Sequence, residues 1–544
     1  MCGILAFVKK KPFEGKTASA LEKAFALLKP RGPDEQGAFH NEDIFMAHSR
    51  LSIINPEAGP QPILQGNWVI CVNGEIYNKN PNLHHAETDC HLIPKYLDKY
   101  GLDAMKHIDG VFAFVAYNRD TQQVVVARDM IGVVPLYYCD FNGGTQFSSL
   151  LASCIVTESS GDAQIVRPGY YASFKVGESP TFKRWARPYN PWTDLTLKNA
   201  PDDMVSLMVD SVSKRLMGDV PWGVLLSGGL DSTIVATIAA SVAKELRPDF
   251  PRVHTFCIGL RDSPDIEWAK KVAKELDTYH VSVEYTVEEG IAAIQEVVRA
   301  VETYDVTTIR ASVPMWLLGR VLKRRGIKMV LSGEGSDELF AGYLYNLYCP
   351  SETDMVVECT RKMVQLHGYD CQRANKAMGD NGVEARVPFL DKNIVDLAMN
   401  RLHPRFKMSG THPDGPKPEK WWLRKTFANI VPAGVAERTK AQFSDAVGSE
   451  WIDALKAHAE RIVSDKIFAR ADEIYPHNTP MTKEAFWYRH IFADTFKARS
   501  GETTALYTGD SIACSTGPAS KWHSAFKRHL DPSGDAIQRA VEEE

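Results

Sequence analysis

The stretch Leu225-Leu226-Ser227-Gly228-Gly229-Leu230-Asp231-Ser232-Thr233 joins a short apolar run to an alanine-rich stretch with helical spacing. Adjacent glycines leave backbone N–H groups open to a ligand, the serines add hydroxyl donors, and the N-terminus of a helix attracts anions. The stretch therefore predicts a phosphate-binding loop between a strand and a helix. It is not a Walker loop, because no Gly-Lys-Ser or Gly-Lys-Thr is present. A glycine-rich turn without a ligand is the alternative.

A second cluster, Leu331-Ser332-Gly333-Glu334-Gly335-Ser336-Asp337-Glu338, combines small residues with three carboxylates. Such a segment does not suit a core, although it could open a helix with solvated acidic residues. Asp231 is an oxygen ligand of the kind that Mg²⁺ prefers. If the acidic cluster lies opposite Asp231, its carboxylates are predicted to supply a ligand for Mg²⁺ and a general base.

The residues around both clusters have the pattern of a parallel α/β sheet. Apolar runs at Trp222–Leu226, Val253–Ile258 and Lys328–Leu331 are predicted strands, and segments with helical spacing separate them. This alternation is typical of a parallel sheet covered by helices, here with additional helices toward the C-terminus. Ser409–Lys420 contains three Pro and two Gly and is predicted to be a loop.

The first part of the chain follows a different pattern. Val69–Val72, Phe112–Tyr117 and Gln123–Ala127 are β-branched or aromatic runs bounded by Gly, Asn or Asp. Helical spacing is clear only near Ala18–Leu28 and Asp89–Lys99. These features predict an α+β domain with packed antiparallel sheets.

The composition limits the partners of the chain. Its 544 residues favour two domains, and 44% apolar with 24% charged residues is ordinary for a globular protein. A formal net charge of -5 means that the chain lacks the excess of positive charge by which proteins bind nucleic acid or an anionic membrane. We find no window apolar enough for a membrane span and no signal-peptide pattern. Ten scattered cysteines without a C-x-x-C pair are typical of a cytoplasmic protein.

Cys2 needs separate treatment, because removal of Met1 would make it the N-terminal residue. A free α-amine has a pKa of about 8 and can act as a base toward the adjacent thiol. Cys2 would then carry both nucleophile and base. A cysteine near a terminus is by itself more often incidental, so the interpretation depends on other residues.

Five segments follow Cys2-Gly3-Ile4 in order: 31–34, 48–53, 72–78, 109–114 and 128–138. The ordered set resembles the class II glutamine amidotransferase domain, which has the N-terminal-nucleophile hydrolase fold. The resemblance implies that Cys2 is the nucleophile. It also implies that the Asn73 side-chain amide and the Gly74 N–H form the oxyanion hole.

The same resemblance implies a site for the glutamine substrate. Arg50 would hold the α-carboxylate as a planar fork, and Glu75 and Asp89 would hold the α-amino group. The other implied glutamine contacts are Leu51, Ser52, Ile53 and Ile54, together with Asn73 and Gly74. The structural alternatives are a hairpin turn for Asn73-Gly74, a solvated arginine for Arg50 and a helix N-cap for Asp89.

The S-G-G-x-D-S pattern at Ser227–Ser232 resembles the PP-loop of ATP pyrophosphatases, which cleave ATP between the α and β phosphates. The resemblance implies Mg²⁺, bound with the substrate ATP, at Asp231 and Asp337, and Glu334 as the group that handles the proton when ammonia attacks an adenylate. The implied ATP-binding residues are Leu225, Ser227, Gly228, Gly229, Asp231, Ser232, Ile258, Ser332, Gly333 and Lys440. Lys440 would neutralise the departing pyrophosphate, and a solvated lysine is its alternative.

Segments 304–312, 384–391 and 438–445 extend the resemblance to nearly the whole chain, and together they resemble glutamine-hydrolysing asparagine synthetase. This family implies a glutaminase domain over 2–195, with antiparallel sheets sandwiched between helices. A Pro-containing linker and an α/β PP-loop synthetase domain over 200–544 follow.

The implied reaction makes asparagine from aspartate, ATP and glutamine through β-aspartyl-AMP, with AMP, pyrophosphate and glutamate as the other products. No nucleic-acid or membrane partner is expected. The oligomeric state is left open, a homodimer included.

Two other interpretations remain at this stage. Beta-lactam synthetase and related amide-forming enzymes share both domains and differ in the acceptor, but they lack the N-terminal cysteine. A catalytically inactive binding protein with the same fold is the second, and Cys2, Asp231, Glu334 and Lys440 argue against it. No residue by itself identifies aspartate as the acceptor.

Two segments depart from the family pattern. Tyr77–Asp89 is shorter than expected, so the cover over the glutamine site is expected to differ. Ser148–Ser153 stands where the family has Ser-Glu-x-Lys-Ala, so a charged pair near the domain junction is missing. Its absence predicts looser coupling, with more glutamate than asparagine formed. The alternative is that Leu150 and Leu151 seal the junction by packing.

Overall fold

A computed structural model describes residues 1–10, 15–78, 87–157, 163–187, 201–250, 252–261, 263–412, 414–438, 449–496 and 519–522. Lys440 and most of the short segment after Tyr77 lie outside these residues. The strands of the described residues form three sheets, two antiparallel in the first part of the chain and one parallel in the second.

The antiparallel strands are β1 (Gly3–Lys9), β2 (Glu35–His40), β3 (Ile44–Arg50), β4 (Ile63–Gln65), β5 (Trp68–Ile76), β6 (Gly110–Asn118), β7 (Gln123–Arg128), β8 (Tyr137–Phe141), β9 (Gly144–Ser148), β10 (Gln164–Ile165), β11 (Tyr170–Lys175) and β12 (Phe182–Arg184). One sheet has the order β10-β8-β9-β1-β3-β2 and the other β12-β11-β7-β6-β5-β4.

The two antiparallel sheets pack face to face. Alternate residues of β1, including Ile4 and Val8, share a buried cluster with Val69, Val124 and Val126 of the second sheet. Because strand side chains alternate between faces, each sheet has a second apolar face to cover. Helix α1 (Gly15–Ala26) covers one, and α2 (Leu92–Tyr100) with α3 (Ala104–His107) covers the other. The predicted sandwich of sheets between helices is confirmed.

The parallel sheet consists of β13 (Trp222–Leu225), β14 (His254–Gly259), β15 (Tyr279–Glu284), β16 (Met329–Leu331) and β17 (Glu384–Arg386), in the order β15-β14-β13-β16-β17. The three predicted strands are confirmed to within about one residue at each end. The sequence did not predict the outer two strands. β15 is a partly exposed edge, and β17 consists of Glu-Ala-Arg, which carries no apolar signal.

Helices surround this sheet. They are α4 (Leu151–Ile155), which lies between β9 and β10 of the first part, and α5 (Met204–Lys214), α6 (Leu230–Leu246), α7 (Pro264–Glu275), α8 (Val287–Val301), α9 (Val306–Arg324), α10 (Ser336–Phe340), α11 (Glu352–Gln365), α12 (Asp370–Gly379), α13 (Lys392–Asp396), α14 (Trp421–Phe427), α15 (Ser449–Ile462), α16 (Asp465–Phe468), α17 (Ala471–Ile474), α18 (Lys483–Phe496) and α19 (Ala519–Trp522). Among the helices of the described ranges, none combines the length and the apolarity that crossing a bilayer requires.

The two parts of the chain share an apolar core. Leu51 and Ile53, just after β3, are buried in one cluster with Val224 and Leu226 around β13. The Ile53 carbonyl also accepts a hydrogen bond from the Asp219 N–H at 2.8 Å. The contact between the parts is therefore a continuation of the parallel sheet's own core.

A buried ion pair of the second part contacts the first part at this junction. The Lys376 ammonium on α12 lies 2.5 Å from Glu302 Oε2, and both side chains are at most 1% exposed. The Glu302 carboxylate accepts hydrogen bonds from the Leu151 and Ala152 N–H groups at 2.9 and 2.7 Å. These are free N–H groups of the first turn of α4, so Glu302 caps that helix from the other part of the chain. Lys376 also donates to the Tyr137 hydroxyl at 2.8 Å.

We expect Glu302→Gln to lower the free energy of unfolding by about 3–5 kcal/mol, because it leaves the buried Lys376 ammonium without a counter-charge. Glu296→Gln on helix α8, which ends one residue before Glu302, is the matched control. Glu296 pairs with Arg299 at the surface, with side chains 55% and 44% exposed, so its loss is worth about 0–1 kcal/mol. Thermal unfolding of both variants measures the difference, and equal midpoints would contradict the expectation.

Candidate active sites

Cys2 lies directly before β1 at the junction of the two parts. Its N–H donates to Asn73 Oδ1 at 2.9 Å, and its sulfur accepts from the Leu51 N–H at 3.5 Å. Burial raises the pKa of the Cys2 thiol, and the nearby terminal ammonium acts in the opposite direction. Met1 is 3% exposed, with its ammonium 3.5 Å from Glu384 Oε2. Removal of Met1 would leave the Cys2 amine in this same pocket.

The two donors of the predicted oxyanion hole, the Asn73 side-chain amide and the Gly74 N–H, both belong to β5. The Asn73 Nδ2 group is buried and has no hydrogen-bond partner among the described residues. The Val72 and Ile76 N–H groups donate to side chains on the edge of β5 that faces away from β6. Along a strand, the N–H groups of every second residue point to the same edge. Gly74 is two residues from Val72 and two from Ile76, so its N–H points to this edge as well. When Cys2 attacks a substrate carbonyl group, negative charge develops on the carbonyl oxygen. These two donors are the groups that would stabilise that charge.

Asn73 and Gly74 are not a hairpin turn, because both lie inside β5. Gly74 has φ +150, and a Cβ there would lie 2.1 Å from the Val111 carbonyl oxygen. The close approach of β6 therefore requires glycine at this position.

Glu75 is buried and Asp89 is partly buried near this pocket. Glu75 Oε2 lies 2.9 Å from Arg386 Nη2, so a residue of β17 in the second part holds it, and burial raises its pKa well above the ordinary range. Asp89 Oδ2 accepts the Ile76 N–H at 2.7 Å, and burial raises its pKa to about 6. Asp89 is not the helix N-cap, since Thr88 fills that position.

Arg50 is 4% exposed, so it is not a solvated surface arginine. Its guanidinium donates to Glu35 Oε2 at 2.6 Å and to the carbonyls of Ile54, Asn55, Pro56 and Gly59 at 2.7–3.2 Å. These bonds fix the loop that follows Ser52, whose N–H donates to Asp34 Oδ2 at 2.7 Å. A ligand carboxylate at Arg50 would have to replace some of these acceptors. Its role toward glutamine stays a prediction.

The predicted phosphate loop lies between β13 and α6, as expected for a strand–loop–helix cradle. Gly228 has φ +74, and a Cβ there would lie 2.6 Å from Trp268 Cβ, so the backbone approach admits only glycine. The Ser227 and Ser232 hydroxyls lie 3.1 Å apart, and Ser232 Oγ also accepts the Ser227 N–H at 3.2 Å. The two hydroxyls close the loop around the start of α6. Leu225 ends β13, and Ile258 lies at the end of β14 beside it.

The acidic cluster after β16 faces this loop, because parallel neighbours end at the same edge of a sheet. A Cβ on Gly333, next to Ser332, would lie only 3.0 Å from Asp231 Cβ. Glu334 Oε2 lies 2.7 Å from Arg373 Nη2, and burial raises the Glu334 pKa although Arg373 acts against it. The structure thus brings Asp231 and Glu334 to one edge, while Lys440 lies outside the described residues.

Asp231 and Asp337 converge on a single cation. The Lys420 ammonium lies 2.6 Å from Asp231 Oδ2 and 2.6 Å from Asp337 Oδ1, and its side chain is 2% exposed. Two carboxylates that share one positive charge fit a divalent cation. Within the described residues no group of three or more His, Cys, Asp or Glu could hold a metal alone. This agrees with Mg²⁺ chemistry, in which one or two carboxylates act together with substrate phosphates.

Sequence reasoning missed several residues of these sites. Lys420 ends a segment predicted only to be a loop, and a lone lysine there carries no signal. Arg31, Arg373 and Arg386 are buried arginines that reach the sites across the fold. A buried arginine cannot be told from a surface one in a single sequence.

Ser148–Ser153 contains no charged pair, but it contacts one that belongs to the second part. The Glu302 carboxylate, paired with Lys376, accepts the Leu151 and Ala152 N–H groups. Ser149 is also engaged, since its hydroxyl accepts the Ile4 N–H at 3.0 Å. The excess of glutamate over asparagine stays a prediction.

Fold and geometry define the class of protein: an N-terminal-nucleophile glutamine amidotransferase domain followed by a PP-loop synthetase domain. The profile described as Glutamine amidotransferase domain matches residues 1–182, and that described as Asparagine synthase matches 204–356 and 348–511. The chain belongs to the glutamine-hydrolysing asparagine synthetases, a family of ligases.

Curated relatives agree with this assignment. The chain is 43% identical to an asparagine synthetase [glutamine-hydrolyzing] of Asparagus officinalis over 98% of its own length and 92% of the relative. It is 42% identical to asparagine synthetase 1 of Arabidopsis thaliana, over 98% and 93%. It is 42% identical to asparagine synthetase 2 of Oryza sativa subsp. japonica, over 98% and 92%.

We expect Lys420→Met to lower the thermal midpoint of the metal-free protein, because Asp231 and Asp337 lose their shared counter-charge. Added Mg²⁺ should raise the midpoint of this variant more than that of the wild type, since the cation replaces the ammonium. Lys417→Met, in the same segment, is the control. Thermal unfolding in EDTA and in Mg²⁺ measures the rise of the midpoint that Mg²⁺ causes. An equal rise in Lys420→Met and in Lys417→Met would refute the expectation.

Proposed function

We propose that the chain makes asparagine from aspartate with ammonia taken from glutamine, and that it consumes ATP to AMP and pyrophosphate. The single observation that carries the proposal is the pairing of two different sites across one junction: Cys2 with its unpaired Asn73 donor, and the Asp231–Asp337 pair beside a phosphate loop. We also propose the domain limits 2–195 and 200–544, and the predicted site residues as the groups that bind and react.

The glutaminase half follows from the Cys2 pocket. After removal of Met1, the α-amine of Cys2 takes the thiol proton, and the sulfur attacks the glutamine side-chain amide. The Asn73 amide and the Gly74 N–H then stabilise the oxyanion. Ionised Asp89 holds the α-amino group of glutamine, with Glu75 beside it. Water releases glutamate from the thioester after ammonia has left.

The synthetase half follows from the phosphate loop. The Ser227 and Ser232 hydroxyls and the bare backbone of Gly228 and Gly229 hold the phosphates at the start of α6. The aspartate side-chain carboxylate attacks the α-phosphorus of ATP, and pyrophosphate leaves.

Bound Mg²⁺ would supply charge neutralisation at the phosphates, and Asp231 and Asp337 would hold it. Lys420 and Lys440 add positive charge for the leaving pyrophosphate. Glu334 takes a proton from ammonia as it attacks the adenylate, and its raised pKa suits that task.

Ammonia has to reach the second site unprotonated, because near pH 7 free ammonia is mostly ammonium. The apolar core shared by Leu51, Ile53 and Leu226 supports a passage shielded from bulk water. Beta-lactam synthetases are the second candidate, and the Cys2–Asn73 contact argues against them, since a ring closure needs no ammonia.

The experiment that tests the whole proposal is product analysis with glutamine, aspartate, ATP and Mg²⁺. Asparagine and AMP should appear together, and both should depend on aspartate. ADP in place of AMP would contradict the PP-loop assignment, and AMP without asparagine would contradict the acceptor.

We expect Cys2→Ala to abolish glutamine-dependent synthesis and to leave synthesis from added ammonium. The nucleophile is lost, while the adenylation site is built from other residues. Asparagine formation with each nitrogen source measures this. A folded variant that loses both activities would exclude two separate sites.

We expect Asp231→Ala to block adenylate formation, because one of two carboxylates at the cation position is lost. Glu334→Gln should reduce amide formation and can also slow the first step, since Arg373 loses its partner. Pyrophosphate release separates the two steps, and glutaminase activity is the internal control. Wild-type asparagine synthesis by either variant would refute its assignment.

We expect the KM for glutamine to fall as pH rises from about 5 to 7. Burial raises the Asp89 pKa from 3.8 to about 6, and only the ionised carboxylate attracts the glutamine ammonium. Stability runs the other way: between pH 4 and 6 folded Asp89 binds more protons than unfolded Asp89, so its contribution falls as pH rises. Asp89→Asn should raise KM and flatten this dependence. A wild-type KM without pH dependence in this range would contradict it.

A further inference from the structure

Helix α12 touches both active sites. Arg373 binds Glu334 at the synthetase site at 2.7 Å, and two residues later Asn375 binds Arg31 of the amidotransferase domain at 2.7 Å. Successive helical residues are about 100° apart, so residues two apart point to nearly opposite sides. One turn of a buried helix therefore faces both sites at once.

Asn375 is 1% exposed, and both ends of its amide cross the junction. Oδ1 accepts from Arg31 Nη2, and Nδ2 donates to the Val133 carbonyl at 3.1 Å and lies 3.3 Å from Met1 Sδ. The Val133 bond does not depend on Met1, so it orients the amide in a processed chain as well. With Nδ2 fixed on Val133, the acceptor Oδ1 points at Arg31.

Arg31 carries this contact to the nucleophile. It is 2% exposed, and its Nε donates to the Cys2 carbonyl oxygen at 2.9 Å. Cys2 is thereby held at both backbone polar atoms, at its nitrogen by Asn73 and at its oxygen by Arg31. After removal of Met1, covalent structure restrains Cys2 from one side only, so these two backbone bonds fix the residue whose sulfur accepts the Leu51 N–H.

The hydrogen bond from Arg31 to Asn375 matters because arginine has many rotamers. Fixing one rotamer costs conformational entropy, and this bond offsets part of that cost. Nη1 of Arg31 is buried without a hydrogen-bond partner among the described residues. If Nη2 also lost its acceptor, two buried donors would be unpaired, and the guanidinium would turn toward other acceptors. Cys2 would lose its second restraint.

We propose that Asn375, a residue of the synthetase domain, is a positioning residue for the glutaminase nucleophile and acts through Arg31 on Cys2. The inference rests on the proposed glutaminase role of Cys2. It means that part of the glutaminase site belongs to the other domain, on the helix that also holds Glu334.

Three full-length variants test this. Asn375→Ala removes the acceptor for Arg31. Asn375→Asp keeps an acceptor for Arg31 and loses the donor to Val133. Asn381→Ala is the matched control, because Asn381 is a second buried asparagine whose amide donates only inside the synthetase domain among the described residues, to Trp316 and Ala377 carbonyls at 3.3 and 3.1 Å.

For each variant, kcat and KM of glutamine hydrolysis and the rate of ammonia-dependent synthesis are measured. A displacement of a reacting group by about 1 Å can reduce a rate about 100-fold. We expect Asn375→Ala to lower the kcat of glutamine hydrolysis by about 10- to 100-fold, and at least tenfold more than it lowers ammonia-dependent synthesis. Because Asn375 does not contact glutamine, KM should stay within about threefold. Asn375→Asp should keep glutaminase within about threefold of the wild type, and Asn381→Ala should lower both activities equally or not at all.

The proposal is overturned if Asn375→Ala keeps glutaminase within threefold, or if both activities fall together as in Asn381→Ala. It is also overturned if Asn375→Asp loses glutaminase tenfold, an outcome that does not require a folded alanine variant. Failure of the proposed glutaminase role of Cys2 looks different, since the wild type would then release no glutamate from glutamine, or Cys2→Ala would keep that activity.

Discussion

The Lys376–Glu302 pair is the interaction on which the arrangement of the two domains depends. Both charges are buried, and the pair is tolerable in a low-dielectric interior only because each partner has further hydrogen bonds. Glu302 accepts the first N–H groups of α4, and Lys376 donates to the Tyr137 hydroxyl. These bonds connect the two domains, so they form together only when the domains dock in one orientation. Apolar packing around Leu51 and Ile53 supplies contact area, whereas the ion pair sets the orientation.

The consequence for chemistry is that the proposed glutaminase site is not complete in its own domain. The Glu75 carboxylate of the amidotransferase domain is held by Arg386 from the parallel sheet, and Cys2 is held through Arg31 by a residue of α12. The proposed substrate-binding carboxylate and the proposed nucleophile thus take their positions from the synthetase fold. The same β17 and α12 also border the synthetase site, so the docking that buries Glu302 aligns both centres.

Charge balance explains the synthetase site in a similar way. Asp231 and Asp337 would repel each other at the edge of the sheet without a cation, and the Lys420 ammonium provides one. Lys420 therefore holds both carboxylates in place at this edge. This preorganisation lowers the reorganisation that binding requires.

The sequence by itself determined the class of each domain, the three strands that lead into the synthetase site, and the motifs at Cys2, Asn73 and Ser227–Ser232. These features depend on local patterns, because residues adjacent in sequence specify an apolar strand or a unit of strand, glycine-rich loop and helix. The tertiary structure alone decided the partners of those motifs. Arg31, Asn375, Arg386 and Lys420 reach the sites from distant positions, and Glu302 caps the start of α4 from the other domain. A buried polar residue has no local signal in one sequence, since its role is fixed by which charge or donor the fold brings opposite it.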